Sequence, residues 1–211
     1  MIMRNLLLVL TVFLATMILS GCGGSGVKSV VDPKILENKA EVQGIYDAIV
    51  QCMGSQVSKA DEISISIDNP ADKGKTGDAY LHIMVDMQDS ENPKQLIRQQ
   101  FHGELGYWMA QQSVTIDLKS ASDEEKMNFR LEDTLFDFST DVPFEKLFKV
   151  MQDAYAKSNT ESDKYSYLYI EDVTITIEGY NINVKGKLAS NDQMLNDRYE
   201  YDLGGNLIRA M

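Results

Sequence analysis

The chain has 211 residues, with 20 Lys and Arg against 32 Asp and Glu, for a formal net charge of −12. A body this acidic is repelled by phosphate backbones and anionic membrane faces, so nucleic acid is excluded as a partner. The length suits one generous domain or two small ones, and 44% apolar residues are enough for a packed core.

The N-terminal segment has a single cation, Arg4, and then an apolar run from Leu6 to Leu19 interrupted only by Thr11 and Thr16. About 14 residues fall short of the roughly 20 that a helix needs to cross a bilayer. They fit the hydrophobic region of a secretory signal. The run closes on Leu19-Ser20-Gly21-Cys22, which resembles the lipobox of bacterial lipoproteins. That resemblance implies cleavage before Cys22, a diacylglyceryl group on the Cys22 sulfur, and an acyl chain such as palmitate on the new amino terminus. Several chains exceed the marginal hold of a single one, so membrane lipid becomes the first expected partner.

Residues 1–21 are then a signal peptide. Residues 22–34, opening with Gly23-Gly24-Ser25-Gly26 after the cysteine, form a short flexible tether. In proteobacterial lipoproteins the absence of Asp after the cysteine favours the outer membrane, so the expected location is that membrane, facing the periplasm. The signal holds one cation and no acid, which leaves the mature chain one unit more negative. With Cys22 lipidated, Cys52 is the remaining thiol and no internal disulfide is expected. Ile45, Ile49, Cys52, Met53 and Val57 recur at helical spacing, which puts Cys52 on an apolar stripe as a small buried hydrophobe.

The same spacing predicts an amphipathic helix over 35–58. The period then changes from 3.6 to 2: Ile63, Ile65 and Ile67 alternate with Ser64, Ser66 and Asp68. Ala79–Met87 reads as a long alternating strand. Leu96–Trp108, interrupted at Gly103 and Gly106, and Ser113–Leu118 read as further strands. Ala121–Lys126 reads as a polar turn, and Phe129–Phe138 as another strand. A second helix is expected over 143–157, capped by Asp141 with Pro143 in its first turn. Strands follow over 165–170, 173–177, 180–188, 195–203 and 206–209, with Gly204-Gly205 making the last turn.

Laid over each other at an offset near 100, the two halves show similar order: a helix and then an antiparallel meander. The expected fold is α+β with two helix-plus-antiparallel-sheet units, 35–140 and 141–211, as a tandem repeat. Element order, and the hairpin Tyr199–Asn206 with its aromatic-Glu-aromatic-Asp…Gly-Gly-Asn run, resemble the PepSY-like or β-lactamase-inhibitor-protein-like group. In that group each helix packs on one face of its sheet.

Motifs that carry chemistry are sparse. There is no Gly-x-Ser-x-Gly elbow, P-loop or dinucleotide fingerprint in the sequence. His82 and His102 read as surface or rim histidines, and a zinc site would have to recruit Asp86 or Glu104. The acidic pairs at Asp123/Glu124/Glu125, Glu132/Asp133 and Glu171/Asp172 read as solvated turns. Asn69–Asp72 and Asn191-Asp192 lack the oxygen spacing of a calcium loop. No cofactor, no metal and no catalysis are expected.

Tyrosines lean towards recognition. Tyr165, Tyr167 and Tyr169 alternate along one strand, and Tyr199 and Tyr201 share a face of another. Tyrosine covers a large area with few rotors and is favoured at interfaces, but it also packs well under a helix. The functional expectation is a membrane-anchored, periplasm-facing, non-catalytic module that binds a protein or peptide through these five residues or serves as an envelope accessory factor. The alternative is a carrier holding a hydrophobic molecule or lipid in a cavity between helix and sheet.

Overall fold

A period of two dictates a strand with one apolar side, and the residues from Ile63 to Ile67 form one. The computed structural model describes residues 27–116, 122–160 and 164–211, so the signal peptide and Cys22 lie outside the described residues. Its elements run β1 (Val30–Val31), α1 (Lys39–Met53), β2 (Ala60–Asp68), β3 (Ala79–Gln88), β4 (Leu96–His102), β5 (Tyr107–Trp108) and β6 (Gln112–Val114). They continue with α2 (Asp123–Asn128), α3 (Phe138–Asp141), α4 (Phe144–Ser158), β7 (Tyr165–Thr176), β8 (Gly179–Leu188), β9 (Met194–Tyr201) and β10 (Leu207–Ala210).

All strands join one ten-stranded sheet in the order β10-β9-β8-β7-β2-β3-β4-β5, with β1 on β3 and β6 on β4. Every pairing is antiparallel. The two meanders therefore meet back to back where β2 pairs with β7, Ile65 lying opposite Val173. The fold is α+β, with one large antiparallel sheet. Helices α1 and α4 contact each other and share a single apolar cluster with the sheet's inner side. That side presents Ile63, Ile65, Leu81, Ile83, Val85, Val173, Ile175 and Ile182, each at most 1% exposed. Tyr46 of α1 seams the helices, its ring 4.9 Å from Phe138 and 5.8 Å from Phe144.

Several sequence expectations shift. The helix expected over 35–58 is divided: Pro33–Glu37 forms a 3-10 turn, and extended Asn38 caps α1 by accepting the Ala40 and Glu41 amides. An Asn side chain at that position satisfies orphan donors better than continued helix would. Phe129–Phe138 is not a strand. It holds a 3-10 turn at Leu131–Thr134, one bridge from Phe136 to Ala60, and then α3. Asp137 starts α3 by accepting the Ser139 and Thr140 amides, so Asp141 ends that helix and Pro143 stands at the cap of α4. The expected strands 165–170 and 173–177 are one strand with a bulge between Ile170 and Asp172. Part of the strand expected over 113–118 lies outside the described residues.

Cys52 is half-buried beside Ile49 and Met53, which are buried. The expected stripe is present in α1, and Cys52 stands at its margin instead of being fully buried. At the turn into β8, a Cβ on Gly179 would lie 1.9 Å from the Tyr201 carbonyl oxygen, with φ at +134°. That position admits only glycine.

Candidate functional site

The five tyrosines divide between two environments. Tyr199 and Tyr201 sit under α4: the Tyr199 hydroxyl lies 3.0 Å from the Ser158 hydroxyl, and Tyr201 donates to Asp153 at 2.8 Å. Both are buried. A register shift separates Tyr165 from Tyr167 and breaks the stripe that the sequence suggests. Tyr165 lies over Gly186, whose missing Cβ leaves room for the ring, and reaches Asp197 at 3.5 Å. Tyr167 and Tyr169 stay together, with ring centroids 5.2 Å apart.

Beneath those two rings is a polar cluster that the sequence did not reveal. Tyr169, fully buried, donates to Asp72, and Asn69 donates to the Tyr167 hydroxyl. Lys185 of β8 pairs with Asp72 at 3.2 Å and with Glu171. The Asp72 side chain is 6% exposed and that of Lys185 20%. Burial pulls the Lys185 amine down, but Glu171 and Asp72 outweigh it and hold it above the ordinary lysine range. Burial and the Asp72 carboxylate drive the Tyr169 hydroxyl far above its usual range. The cluster fixes the 3-10 turn Pro70–Lys73 onto β7 and β8, its donors and acceptors mutually satisfied. Asn69–Asp72 is thus spoken for by tyrosines and a lysine.

Other acids are also partnered. Arg98 grips Asp86 with two bonds of 2.7 Å, and Glu62 stands opposite Asp86 across the β2–β3 ladder. Burial, then Asp86, raises the Glu62 carboxyl above its ordinary range. Asp61 accepts from Thr134 at 2.5 Å. Among the described residues, no group of three or more His, Cys, Asp or Glu is arranged to hold a metal.

Glu37 is another residue that sequence reasoning missed. It ends the 3-10 turn Pro33–Glu37, which packs against β7 in the place where β2 stops. Its Oε1 is buried without a hydrogen-bond partner among the described residues. Burial pushes its carboxyl up to about 7, against smaller opposing effects of Lys34 and the Tyr155 hydroxyl. A lone Glu beside a Pro-Lys-Ile-Leu turn carries no sequence signal of burial.

Among the described residues, helices and sheet share one cluster of buried apolar side chains. Clefts open instead on the surface. One of about 480 Å³ lies between α4 and the Gly204-Gly205 turn, and one of about 460 Å³ between Lys28–Ile35 and the start of α1. A third, of about 230 Å³, is bordered by Glu178, Arg198, Ile208 and Arg209 beside β10. Strand β10 ends the sheet order and, among the described residues, pairs on one side only, with β9. All four of its residues are exposed, Leu207 at 42% and Ile208 at 64%, and Met211 beyond them at 53%.

No protein-family model matches the sequence, and no curated protein matches it. Among solved structures, the fold is similar to a crystal structure described as a candidate lipoprotein from Clostridium difficile 630, with 8% identity and a TM-score of 0.40. The match covers 85% of this chain and 99% of that one. At that distance it carries no argument about function.

Proposed function

We propose that the chain is a lipid-anchored envelope protein whose folded body captures an extended segment of a partner protein as an eleventh strand on β10. The carrying observation is the open β10 edge. A one-sided strand presents a row of unpaired N–H and C=O groups, which is a template for strand addition. Met211 and Arg198 exchange both backbone bonds at 2.9 Å, so by alternation the Ala210 amide points away from β9. Exposed Leu207, Ile208 and Met211 add apolar contact for alternate side chains of the incoming strand. At the opposite end of the sheet the edge is broken into β5 and β6, of two and three residues. Such short pieces pair poorly.

The apolar cluster shared by helices and sheet supports this reading over a carrier of hydrophobic molecules. Absence of catalysis remains part of the proposal, supported by the engagement of Asp61, Asp72, Asp86 and Glu171 in structural pairs. The tandem-repeat reading is also a proposal, supported by two successive helix-then-meander runs.

Ala210→Pro removes the outward amide without touching the bonds to β9, and edge strands tolerate proline. Heptapeptides selected from a random phage-displayed library on the wild-type body are expected to lose binding to this variant, whose melting temperature stays within a few degrees. Peptides that bind the variant equally well would overturn the strand-addition reading. So would a wild-type dimer that Ala210→Pro converts to monomer, since β10 would then serve a second copy.

Anchoring rests on the lipobox resemblance, and among the described residues no helix is long and apolar enough to cross a membrane. An alkynyl palmitate label is expected on the wild type and to be lost in Cys22→Ser. A disulfide and a lipid thioether exclude each other at one sulfur, so an unlabelled wild type whose two cysteines are joined would refute the anchor.

A further inference from the structure

The face of the sheet away from α1 and α4 carries the chain's two histidines side by side. Ile83 pairs with Phe101 across β3 and β4, and continuing that register sets His82 opposite His102. Ser66 flanks His82 on β2, and Tyr107 flanks His102 on β5. The imidazole centroids are 5.0 Å apart, with ring planes at 86°.

That separation has a chemical meaning. Two imidazoles bound cis to one metal have metal–nitrogen bonds of about 2.0–2.1 Å, and each ring centre lies about 1.1 Å behind its nitrogen. At angles between square-planar and tetrahedral, the centroids fall roughly 4.5–5.2 Å apart. The observed spacing lies inside this window, and the ring planes are free to turn about the metal–nitrogen bonds.

A second observation points the same way. The Nδ1 of His102 is buried and has no hydrogen-bond partner among the described residues. A buried ring nitrogen without a partner is costly, and a metal ion would satisfy it. The Nδ1 of His82 takes only a 3.4 Å contact from the Gly103 amide.

We propose that His82 and His102 form a two-imidazole site for a divalent transition-metal ion, with Cu²⁺ held most tightly of the first-row series. The site lies on the sheet face opposite the helices and owes nothing to the β10 edge, so its fate is independent of the strand-addition reading.

The test is a Cu²⁺ titration of the mature full-length chain, followed by calorimetry and electron paramagnetic resonance. One equivalent is expected to bind with nitrogen hyperfine structure from two imidazoles. His82→Ala and His102→Ala are each expected to weaken binding by roughly 10–100-fold, with far-ultraviolet circular dichroism unchanged. The double variant sets the level for incidental sites. Wild-type affinity no better than that of the double variant, or a spectrum with one coordinated nitrogen, would overturn the proposal.

Discussion

Glu37→Gln is expected to stabilise the protein at pH 8 and to flatten its pH dependence. The folded chain holds the Glu37 carboxyl at about 7, against an ordinary value of 4.5. Between those values the folded state keeps a proton that the unfolded state has released, so stability falls as pH rises. Below the lower value both states are protonated and nothing is lost; above the upper value the folded chain carries the whole cost of a buried charge with one unpartnered oxygen. Undiscounted, the shift corresponds to about 3 kcal/mol; the partial exposure of the group reduces the expectation to about 1–2 kcal/mol. Asp61, Glu62 and Asp172 are also raised, chiefly by burial, and slope the wild-type curve the same way. The difference between wild type and variant isolates Glu37. Urea unfolding at pH 5, 6, 7 and 8 measures it, and parallel curves for the two proteins would show that Glu37 titrates as an ordinary exposed carboxyl.

Asp72→Ala is expected to be the most damaging change in the polar cluster. It removes the acceptor of the Tyr169 hydroxyl and one of two anions on Lys185. Breaking a buried pair by deleting one partner costs more than the pair contributes, because the survivor stays desolvated. Lys185 keeps Glu171, so the expected loss is about 2–4 kcal/mol, at the lower end of that range if the Pro70–Lys73 turn relaxes. Adding Lys185→Met to Asp72→Ala is expected to recover part of the loss, which a double-mutant cycle reads directly. A loss under about 0.5 kcal/mol would place Asp72 among ordinary surface acids.

Legibility in the sequence followed the strength of local periodicity. The strands with clean alternation, Ile63–Ile67 and Ala79–Met87, were recognisable because one side of each must be apolar. The second helix, expected over 143–157 and found at Phe144–Ser158, was equally plain. What failed was punctuation. Asn38 and Asp137 are caps hidden within runs that otherwise look periodic, and the isolated bridge at Phe136 imitates strand chemistry without a ladder. The pairing of β2 with β7 was invisible, because nothing local to either strand tells it which partner lies beyond its neighbour.

The functional residues split in the same way. Tyr199 and Tyr201 were identifiable as a pair on one face, but not as residues beneath α4. His82 and His102 are 20 positions apart and become neighbours only through the β3–β4 hairpin, whose connection runs over 89–95. Asp72 and Lys185 meet across the two halves of the chain, and Glu37 acquires its raised carboxyl from packing alone. Such properties belong to tertiary contact, and no spacing rule encodes them.

Strand capture on β10 is the claim on which the functional account stands. It is tested most directly by hydrogen exchange at single-residue resolution, with and without a saturating selected heptapeptide. The account requires the Ala210 amide, which points away from β9, to exchange freely in the apo protein and to become strongly protected when peptide binds, while amides of β5 and β6 stay unchanged. Protection that appears in the α4 cleft or on the β5–β6 edge, with Ala210 still exchanging freely, would contradict it.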